Sequence, residues 1–151
     1  MGIKIIATNK KAYHDFFIDE VYEAGLVLTG TEVKSLRLGK VNLKEAFCRI
    51  KGGEIFINNM HISPYEMGGR ENPDPTRMRK LLLHHAEIDK LVRLTEQKGL
   101  AMVPTKLYFK GNHIKMEIGI GRGKKLHDKR QSLKSKEADR EMSKALKSAQ
   151  R

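Results

Sequence analysis

The sequence predicts a mainly β domain with short helices, an OB-like closed β-barrel with flanking α-helices that is followed by a disordered basic C-terminal tail. Three observations predict this fold class. Short runs of β-branched and aromatic residues end at glycine-containing turns, two segments with helix signals interrupt them, and the end of the chain is basic and poor in large apolar residues. We therefore assign residues 1–121 to the barrel and residues 122–151 to the tail.

The first strands are predicted from glycine signals within and between apolar runs. Residues 14–28 form a long run of aromatic and β-branched side chains, and Gly25 inside it predicts a bulge or a sharp bend. Residues 43–51 and 54–60 are two shorter runs. The pair Gly52-Gly53 joins them and is typical of a tight hairpin turn.

A second pair of strands is predicted near the end of the barrel. Residues 102–110 and 114–120 surround Gly111-Asn112, which again indicates a hairpin. Because proline has no N–H to donate to a ladder, we expect Pro104 near the start of its strand or at a sheet edge.

The first of two predicted helices has clear start and stop signals. Thr29 and Glu32 have the spacing of a capping box, in which each residue hydrogen-bonds the backbone of the other. Val33 and Leu36 then share a buried face, and Gly39 is expected to end the helix.

The second helix follows a run whose structure the periodicity does not decide. This helix is predicted to start near His84, with Glu87 three residues later, and to end at Gly99. Residues 80–83 (KLLL) fit either its first turn or a short buried strand. Upstream, the glycines and prolines of residues 67–77 predict an exposed loop.

The tail carries more than half of the excess positive charge of the chain. It has no aromatic residue and few large apolar ones, so it is not expected to bury enough surface to offset the entropy cost of ordering. Residues with high helix propensity nevertheless recur in it at helical spacing. Two alternatives follow: a segment that folds on a partner, or a solvated extension that only aids solubility.

The overall composition indicates an intracellular protein with an anionic partner. The formal net charge is +12, and dense Lys and Arg gain free energy by releasing counterions condensed on nucleic acid. The single cysteine, Cys48, excludes an internal disulfide and fits a reducing cytosol, so we expect a cytoplasmic location. The sequence contains no apolar run long enough to cross a bilayer, and we expect no membrane partner.

No set of residues has the spacing of a catalytic centre. The six histidines are not paired with cysteine at zinc spacing, and Cys48 fits a buried small residue better than a nucleophile. One alternative is a nuclease metal site formed by Asp15, Asp19, Glu20 and Glu23, with Asp15 and Asp19 on one face of a strand. Nothing beside them supplies a base or a phosphate clamp, so we predict no enzyme activity, no metal and no cofactor.

Two basic clusters favour RNA as the anionic partner. Lys10 and Lys11 precede Tyr13 and His14, so cations lie next to flat rings, and residues 121–125 (GRGKK) allow the backbone to approach phosphates. Rings stack on unpaired bases while cations hold the phosphates. Each cluster alone also fits a solvated loop, but both on one small domain favour RNA binding.

Several short strings follow one another in a fixed order through most of the barrel and into the start of the tail. They are 9–12 (NKKA), 14–18 (HDFFI), 22–25 (YEAG), 30–37 (GTEVKSLR), 59–65 (NMHISPY), 74–77 (DPTR), 79–83 (RKLLL), 123–125 (GKK) and 127–130 (HDKR). With these strings the sequence resembles the small protein B family, the SsrA-binding proteins of bacterial trans-translation. After Arg130 only the basic, helix-prone composition matches.

This resemblance implies an RNA-binding adaptor. The barrel of the family binds the tRNA-like domain of transfer-messenger RNA near its elbow, where the D-loop lies. The tail is disordered alone, enters the vacant mRNA channel of a stalled ribosome and becomes helical there. The implied partners are transfer-messenger RNA, the ribosome with its small-subunit rRNA, and elongation factor Tu in the delivery complex. We expect a monomer without cofactor or enzyme activity.

The resemblance also implies roles for individual residues. The implied contacts to transfer-messenger RNA are Glu23, Leu82 and Lys115, with Asn9, Lys10, Lys11 and His14 in support. The segment implied at the ribosomal decoding centre and the start of the tail consists of Gly123, Lys124, Lys125, His127, Asp128, Lys129 and Arg130.

Alternatives remain for Glu23 and for the whole chain. A carboxylate that faces RNA is costly unless it accepts hydrogen bonds from base edges, so Glu23 would serve specificity more than affinity. The alternative for Glu23 is a surface salt bridge. The alternatives for the chain are a small basic ribosomal protein and a metal-dependent RNA nuclease.

Overall fold

The computed structural model describes residues 2–125 and Arg130. The strands of this part are β1 Ile3–Thr8, β2 Phe16–Leu26, β3 Val41–Asn42, β4 Phe47–Lys51, β5 Glu54–Asn58, β6 His61–Ile62, β7 Arg79–Leu82, β8 Ala101–Lys110 and β9 His113–Gly123. Its α-helices are α1 Lys10–Asp15, α2 Gly30–Arg37 and α3 His85–Val92. A 3-10 segment covers Glu66–Glu71, and a π-helical extension of α3 covers Arg93–Gln97.

Seven strands form one antiparallel sheet in the order β1-β8-β9-β2-β7-β5-β4, and β3 pairs with β6 separately. The prediction of a mainly β fold with short helices is confirmed, but the prediction of a closed barrel is wrong. No backbone ladder joins the two edge strands β1 and β4 in the described part of the chain. β1 takes the edge of β8 along Lys106–Lys110, and β4, although it contacts β8, forms no backbone ladder with it, so the sheet stays open.

The long strand β2 crosses most of the sheet and pairs with β9 on one side and β7 on the other. Its register is irregular between Ile18 and Glu20, so the bulge lies at Asp19, and the predicted bulge or bend at Gly25 is wrong. Gly25 stays in register with Lys115 and Leu82. A Cβ at Gly25 would lie 3.3 Å from the Leu82 Cβ, so glycine serves close packing there.

Both predicted hairpins are confirmed. Gly52 and Gly53 have φ of 59° and 75° and connect β4 to β5, and Gly111 has φ of 61° between β8 and β9. Pro104 is the fourth residue of β8, beside the register shift before Lys106 and beyond the end of pairing with β1. A proline is tolerated at such an irregular position because the regular ladder is already interrupted.

The helix signals are confirmed at α2. The Thr29 hydroxyl accepts from the Glu32 N–H at 3.3 Å, and the Glu32 carboxylate accepts from the Thr29 N–H at 2.9 Å. Leu36 is buried, and Gly39 with φ of 70° follows the last turn. The capping box therefore places the buried side of α2 against the core.

The second predicted helix is also confirmed, and the ambiguous run before it is a strand. The carboxylate of Glu87 accepts from the His84 N–H at 3.2 Å where α3 begins, and Gly99 with φ of 67° follows the π-helical extension. Residues 79–82 form β7, which pairs with both β2 and β5, and the side chain of Leu81 is buried in the core.

Two structured segments were missed from the sequence. Helix α1 covers residues 10–15, and its last two residues overlap the start of the strand predicted at residues 14–28; β1 precedes it. In addition, β9 continues through Gly123, so Arg122 and Gly123 are paired with β2 beyond the predicted limit of the barrel. The predicted disorder of the tail and its partner-induced helix lie outside the described residues, apart from residues 122–125 and Arg130.

The core lies on one face of the sheet, under α2 and α3. On β9 the side chains of Met116, Ile118 and Ile120 are buried. The alternation of a strand then places Lys115 and Glu117 on the opposite face, where both are half-buried. This outer face carries the candidate site. None of the described helices is both long and apolar enough to cross a membrane.

Candidate nucleic-acid interface

The structure brings three of the predicted RNA-contacting residues together on the outer face of the sheet. Gly25 of β2 is in register with Lys115 of β9 on one side and with Leu82 of β7 on the other. Directly opposite residues share a face, and so do residues two apart along a strand, so Glu23 lies on this face as well. Leu82 is 49% exposed although it is a large apolar residue.

Gly25 forms the floor between these side chains. Its missing side chain leaves a shallow cleft that is open to solvent, lined by Glu23, Gly25, Leu82, Leu83, His84, Glu87 and Lys115. The lining combines two carboxylates, an ammonium group, an imidazole and apolar surface. Such a mixture suits a polar, planar ligand better than a purely apolar one.

Two residues of β8 hold the carboxylate of Glu23. The hydroxyl of Tyr108 donates to Glu23 Oε2 at 2.5 Å, and the ammonium of Lys110 donates to Oε1 at 3.2 Å. The hydrogen bond from Tyr108 is the main cause that lowers the pKa of Glu23 below its ordinary value, and Lys110 and Lys115 add to it. Glu23 is therefore an ionised acceptor at neutral pH.

The same contact changes the acidity of Tyr108. Burial raises the pKa of its hydroxyl, and the negative charge of Glu23 raises it further. Tyr108 is 6% exposed and thus remains a protonated donor. We call Glu23, Gly25, Leu82, Tyr108, Lys110 and Lys115 the carboxylate patch.

The neighbouring carboxylate has its own partners. Glu117 lies directly opposite Glu23 on β9, and its Oε2 accepts from the Thr105 hydroxyl at 2.6 Å. The ammonium of Lys106 lies 4.0 Å from the same oxygen. Residues of β8 thus hold both carboxylates, and the two groups can remain charged next to each other.

The remaining predicted RNA contacts lie at the other end of β2. Lys10 and Lys11 are exposed on α1, whereas Asn9 is only 7% exposed. Its amide donates to the Pro104 carbonyl at 2.9 Å, and its backbone N–H donates to the Thr105 carbonyl at 2.8 Å. Asn9 therefore fastens the start of α1 to β8, a structural role that the sequence did not predict.

The first residues of the decoding-centre segment are packed against α1 and β2. The backbone N–H of Lys124 donates to the Asp15 carbonyl at 2.7 Å, and its ammonium donates to the Tyr13 carbonyl at 3.0 Å. The ammonium of Lys124 and the guanidinium of Arg122 lie 5.0 and 5.4 Å from the ring centre of Phe17, within cation–π range.

We call Lys10, Lys11, His14, Phe17, Arg122 and Lys124 the tail-root patch. His14 is half-buried there, with Nδ1 at 2.9 Å from the carboxylate of Asp15. Lys125 and Arg130 are exposed, and His127, Asp128 and Lys129 lie outside the described residues. At about 3.3 Å per residue, Phe17 and Glu23 are ~20 Å apart along β2. The predicted RNA contacts thus divide between two separate surfaces.

Sequence reasoning missed Tyr108, Lys110 and Phe17 as parts of these surfaces, whereas Arg122 belonged to the predicted basic cluster of residues 121–125. For Tyr108 and Lys110 a signal existed, because the turn at Gly111-Asn112 fixes the register that places Tyr108 opposite Lys115. The contact of the Glu23 carboxylate with Tyr108 and Lys110, which lie far from it in the sequence, had no such local signal.

The arrangement does not support a nuclease metal site. Asp15 ends a helix, so the prediction that it shares a strand face with Asp19 is wrong. Glu20 accepts from the Tyr22 hydroxyl at 2.7 Å, on the face of β2 opposite to Glu23. Within residues 2–125 and Arg130, no group of three or more His, Cys, Asp or Glu side chains converges on a metal position.

Cys48 fits the structural interpretation rather than that of a nucleophile. Burial raises the pKa of its thiol to about 12, so the thiolate is scarce at neutral pH.

The two patches supply groups for recognition: an ionised acceptor for base-edge donors, cations for phosphates, and an exposed apolar side chain for contact with rings or riboses.

Comparison with known proteins agrees with this chemistry. The family described as "SmpB protein" matches residues 6–148. A protein named "SsrA-binding protein" from Syntrophotalea carbinolica is 76% identical over 146 residues, which cover 97% of each chain. A protein of the same name from Geotalea uraniireducens is 55% identical over 151 residues, the full length of both chains.

A solved structure is also similar to this chain. It is described as "tmRNA-SmpB: a journey to the center of the bacterial ribosome", and it is 47% identical with a TM-score of 0.68. The similarity covers 84% of this chain and 93% of the other. At that identity the likeness extends beyond the fold to many individual side chains.

Proposed function

Since this chain belongs to the SmpB protein family, we propose that it is an RNA-binding adaptor of ribosome rescue. It binds the tRNA-like domain of transfer-messenger RNA and delivers this RNA to stalled ribosomes for trans-translation. The chain acts by binding and positioning RNA and catalyses no reaction. Elongation factor Tu joins the delivery complex in this proposal.

The observation that carries the proposal is the carboxylate patch. The ionised carboxylate of Glu23, the ammonium of Lys115 and the exposed Leu82 side chain surround Gly25 on one face of the sheet, in a cleft open to solvent. Unpaired bases of an RNA loop present N–H donors at their edges, flat faces, and nearby phosphates. Each of these features has a complementary group in the patch, so we assign the patch to the D-loop region at the elbow.

The tail-root patch supports the second half of the proposal. An adaptor has to contact two RNA bodies at once, and the two patches lie at opposite ends of β2. We assign Lys10, Lys11, His14 and the segment Gly123 to Arg130 to the ribosome side, at the decoding centre. The residues that follow enter the empty mRNA channel, whose rRNA phosphates favour a basic segment.

This assignment changes the grouping implied by the resemblance. Asn9 is held by two carbonyls of β8, so it supports α1 rather than contacting RNA. Lys10, Lys11 and His14 lie with the start of the tail and not with Glu23. We therefore assign the recognition of transfer-messenger RNA mainly to Glu23, Leu82 and Lys115.

A binding experiment with the isolated tRNA-like RNA tests the proposal. Leu82→Ala should weaken binding about tenfold or more, because truncation of an exposed apolar anchor removes contact with a ring or ribose. Val27→Ala is a matched control, since Val27 is also an exposed apolar residue next to the end of β2 and lies outside the cleft. Equal binding by wild type and Leu82→Ala would contradict the assignment of the patch.

A functional assay tests the rescue role separately. Ribosomes stalled on truncated mRNA should tag the nascent peptide only when both transfer-messenger RNA and this protein are added. Cleavage of RNA by the purified protein with a divalent metal would instead support the nuclease alternative. Stoichiometric recovery with all ribosomes after a high-salt wash would support a ribosomal protein.

A further inference from the structure

The Tyr108–Glu23 contact points to a residue that controls RNA discrimination without touching the RNA. We propose that Tyr108 is a positioning residue, which fixes the Glu23 carboxylate in the orientation that reads the donors of a bound RNA loop. This inference rests on the proposed function of the carboxylate patch.

The ring of Tyr108 is held rigidly by the sheet. Its strand β8 lies between β1 and β9, and Tyr108 is in register with Ile5 on one side and Lys115 on the other. Only 6% of the residue is exposed. The hydroxyl therefore occupies a fixed position, 2.5 Å from Glu23 Oε2.

Glu23 by itself has no such rigidity. Its side chain is 36% exposed, and a free glutamate at a surface samples several rotamers. Lys110 also contacts the carboxylate, at 3.2 Å, but its own side chain is 46% exposed on a flexible stem. Of the two partners, only Tyr108 fixes the carboxylate.

The geometry leaves acceptor capacity for a ligand. A carboxylate has about four lone-pair positions. Tyr108 and Lys110 both donate to Oε2, and Lys110 also donates to Oε1, so Oε1 keeps a position for a ligand. Glu23 lines the open cleft beside Gly25, where a ligand can reach it. A fixed acceptor favours a base edge that presents donors and penalises one that presents acceptors, whereas a mobile carboxylate can turn away from a mismatched edge.

The chain contains a matched control for this contact. The hydroxyl of Tyr22 donates to Glu20 Oε2 at 2.7 Å, and Lys90 lies 3.6 Å from the same oxygen. This is also a Tyr–Glu–Lys group and also includes a glutamate of β2, but it lies on the opposite face of the strand. Tyr22→Phe therefore makes the same chemical change away from the carboxylate patch.

The experiment measures dissociation constants of the full chain for two RNAs: the tRNA-like domain, and the same RNA with its D-loop bases exchanged. The proteins are wild type, Tyr108→Phe, Glu23→Gln, the double variant and Tyr22→Phe. Tyr108→Phe should bind the unchanged RNA about fivefold to tenfold more weakly than wild type does. For the exchanged RNA its affinity should stay within about twofold of the wild-type affinity. It should cause no further loss in the Glu23→Gln background, because it acts through Glu23.

Thermal unfolding of each variant accompanies the binding data. The positioning role is overturned if the losses of affinity multiply in the double variant. It is also overturned if both RNAs lose affinity equally, or if Tyr108→Phe binds as tightly as wild type. An equal loss in Tyr22→Phe would overturn it as well. Failure of the proposed function gives a different result, since wild type itself would then not distinguish the two RNAs.

Discussion

The guanidinium of Arg79 donates from Nε to Glu32 Oε2 at 2.6 Å, and both side chains are withdrawn from solvent, with 0% and 3% exposure. Arg77 donates to the other carboxylate oxygen, also at 2.6 Å. Since Glu32 additionally caps α2 at Thr29, one carboxylate fastens the helix, β7 and the segment before β7 together. Arg79 completes this junction by donating to the Met60 and Pro75 carbonyls.

The first prediction concerns the stability of this junction. Glu32→Gln should lower the free energy of unfolding by about 3–5 kcal/mol, because it leaves the buried Arg79 charge without its counter-charge. Urea unfolding at neutral pH measures the difference. Glu66→Gln is the control, since the Glu66 side chain is 88% exposed and forms only a 4.0 Å contact with Lys40. A loss no greater than that of the control would contradict the prediction.

The second prediction concerns acid. Burial opposes ionisation of Glu32, but hydrogen bonds from Arg77, Thr29 and Arg79 lower its pKa below the ordinary 4.5. A carboxyl with a depressed folded pKa stabilises the fold above its unfolded pKa, and this contribution is lost as the pH falls through the folded pKa. The stability difference between wild type and Glu32→Gln should therefore be constant near neutral pH and shrink below about pH 4.5. Urea titrations at successive pH values measure this stability difference. A difference that stays constant down to pH 3 would contradict the prediction.

The third prediction concerns the floor of the carboxylate patch. Gly25→Ala adds a methyl group 3.3 Å from the Leu82 Cβ, so Leu82 has to shift by a few tenths of an ångström and the methyl group narrows the cleft beside Lys115. We expect binding of the tRNA-like RNA to weaken about threefold to tenfold, as a misplaced contact does. Gly30→Ala is the control, because a Cβ there meets no atom within 4 Å. Equal affinities of the two variants would refute a role for the cleft.

Local features of the fold could be predicted from the sequence, whereas features that depend on long-range pairing could not. The capping box at Thr29 and the glycine turns were predictable, because each is set by neighbouring residues. The open edge of the sheet was not, since it depends on how β1 and β4, two strands far apart in the sequence, each meet β8. Similarly, Glu23 was implied by resemblance, whereas its fixation by Tyr108 follows from a pairing between distant strands that no local pattern records.

The fourth prediction concerns the salt dependence of RNA binding. If the Lys115 ammonium neutralises a phosphate, Lys115→Gln should make the slope of log K against log salt shallower by about 0.7–0.9. Filter binding over a range of salt concentrations provides the slopes. Lys51→Gln removes an equal charge from an exposed position at the turn between β4 and β5 and should leave the slope unchanged. Parallel lines for Lys115→Gln and wild type would show that Lys115 makes no phosphate contact.

The last prediction separates the two surfaces. The ring of Phe17 holds the Arg122 guanidinium and the Lys124 ammonium at the point where the described chain leaves β9. Phe17→Leu keeps apolar volume but removes both cation–π contacts, each worth ~0.5–1 kcal/mol at an exposed site. The direction in which the tail leaves the body is then less well fixed. Peptide tagging on stalled ribosomes should fall about fivefold, while binding of the isolated tRNA-like RNA at the carboxylate patch stays within twofold of wild type.

Tyr65→Leu is the control for this variant. It removes a similar contact with Lys34 at 5.4 Å elsewhere on the protein and should leave tagging unchanged. If Phe17→Leu instead weakened RNA binding and tagging in equal proportion, the two patches would not act as separate surfaces.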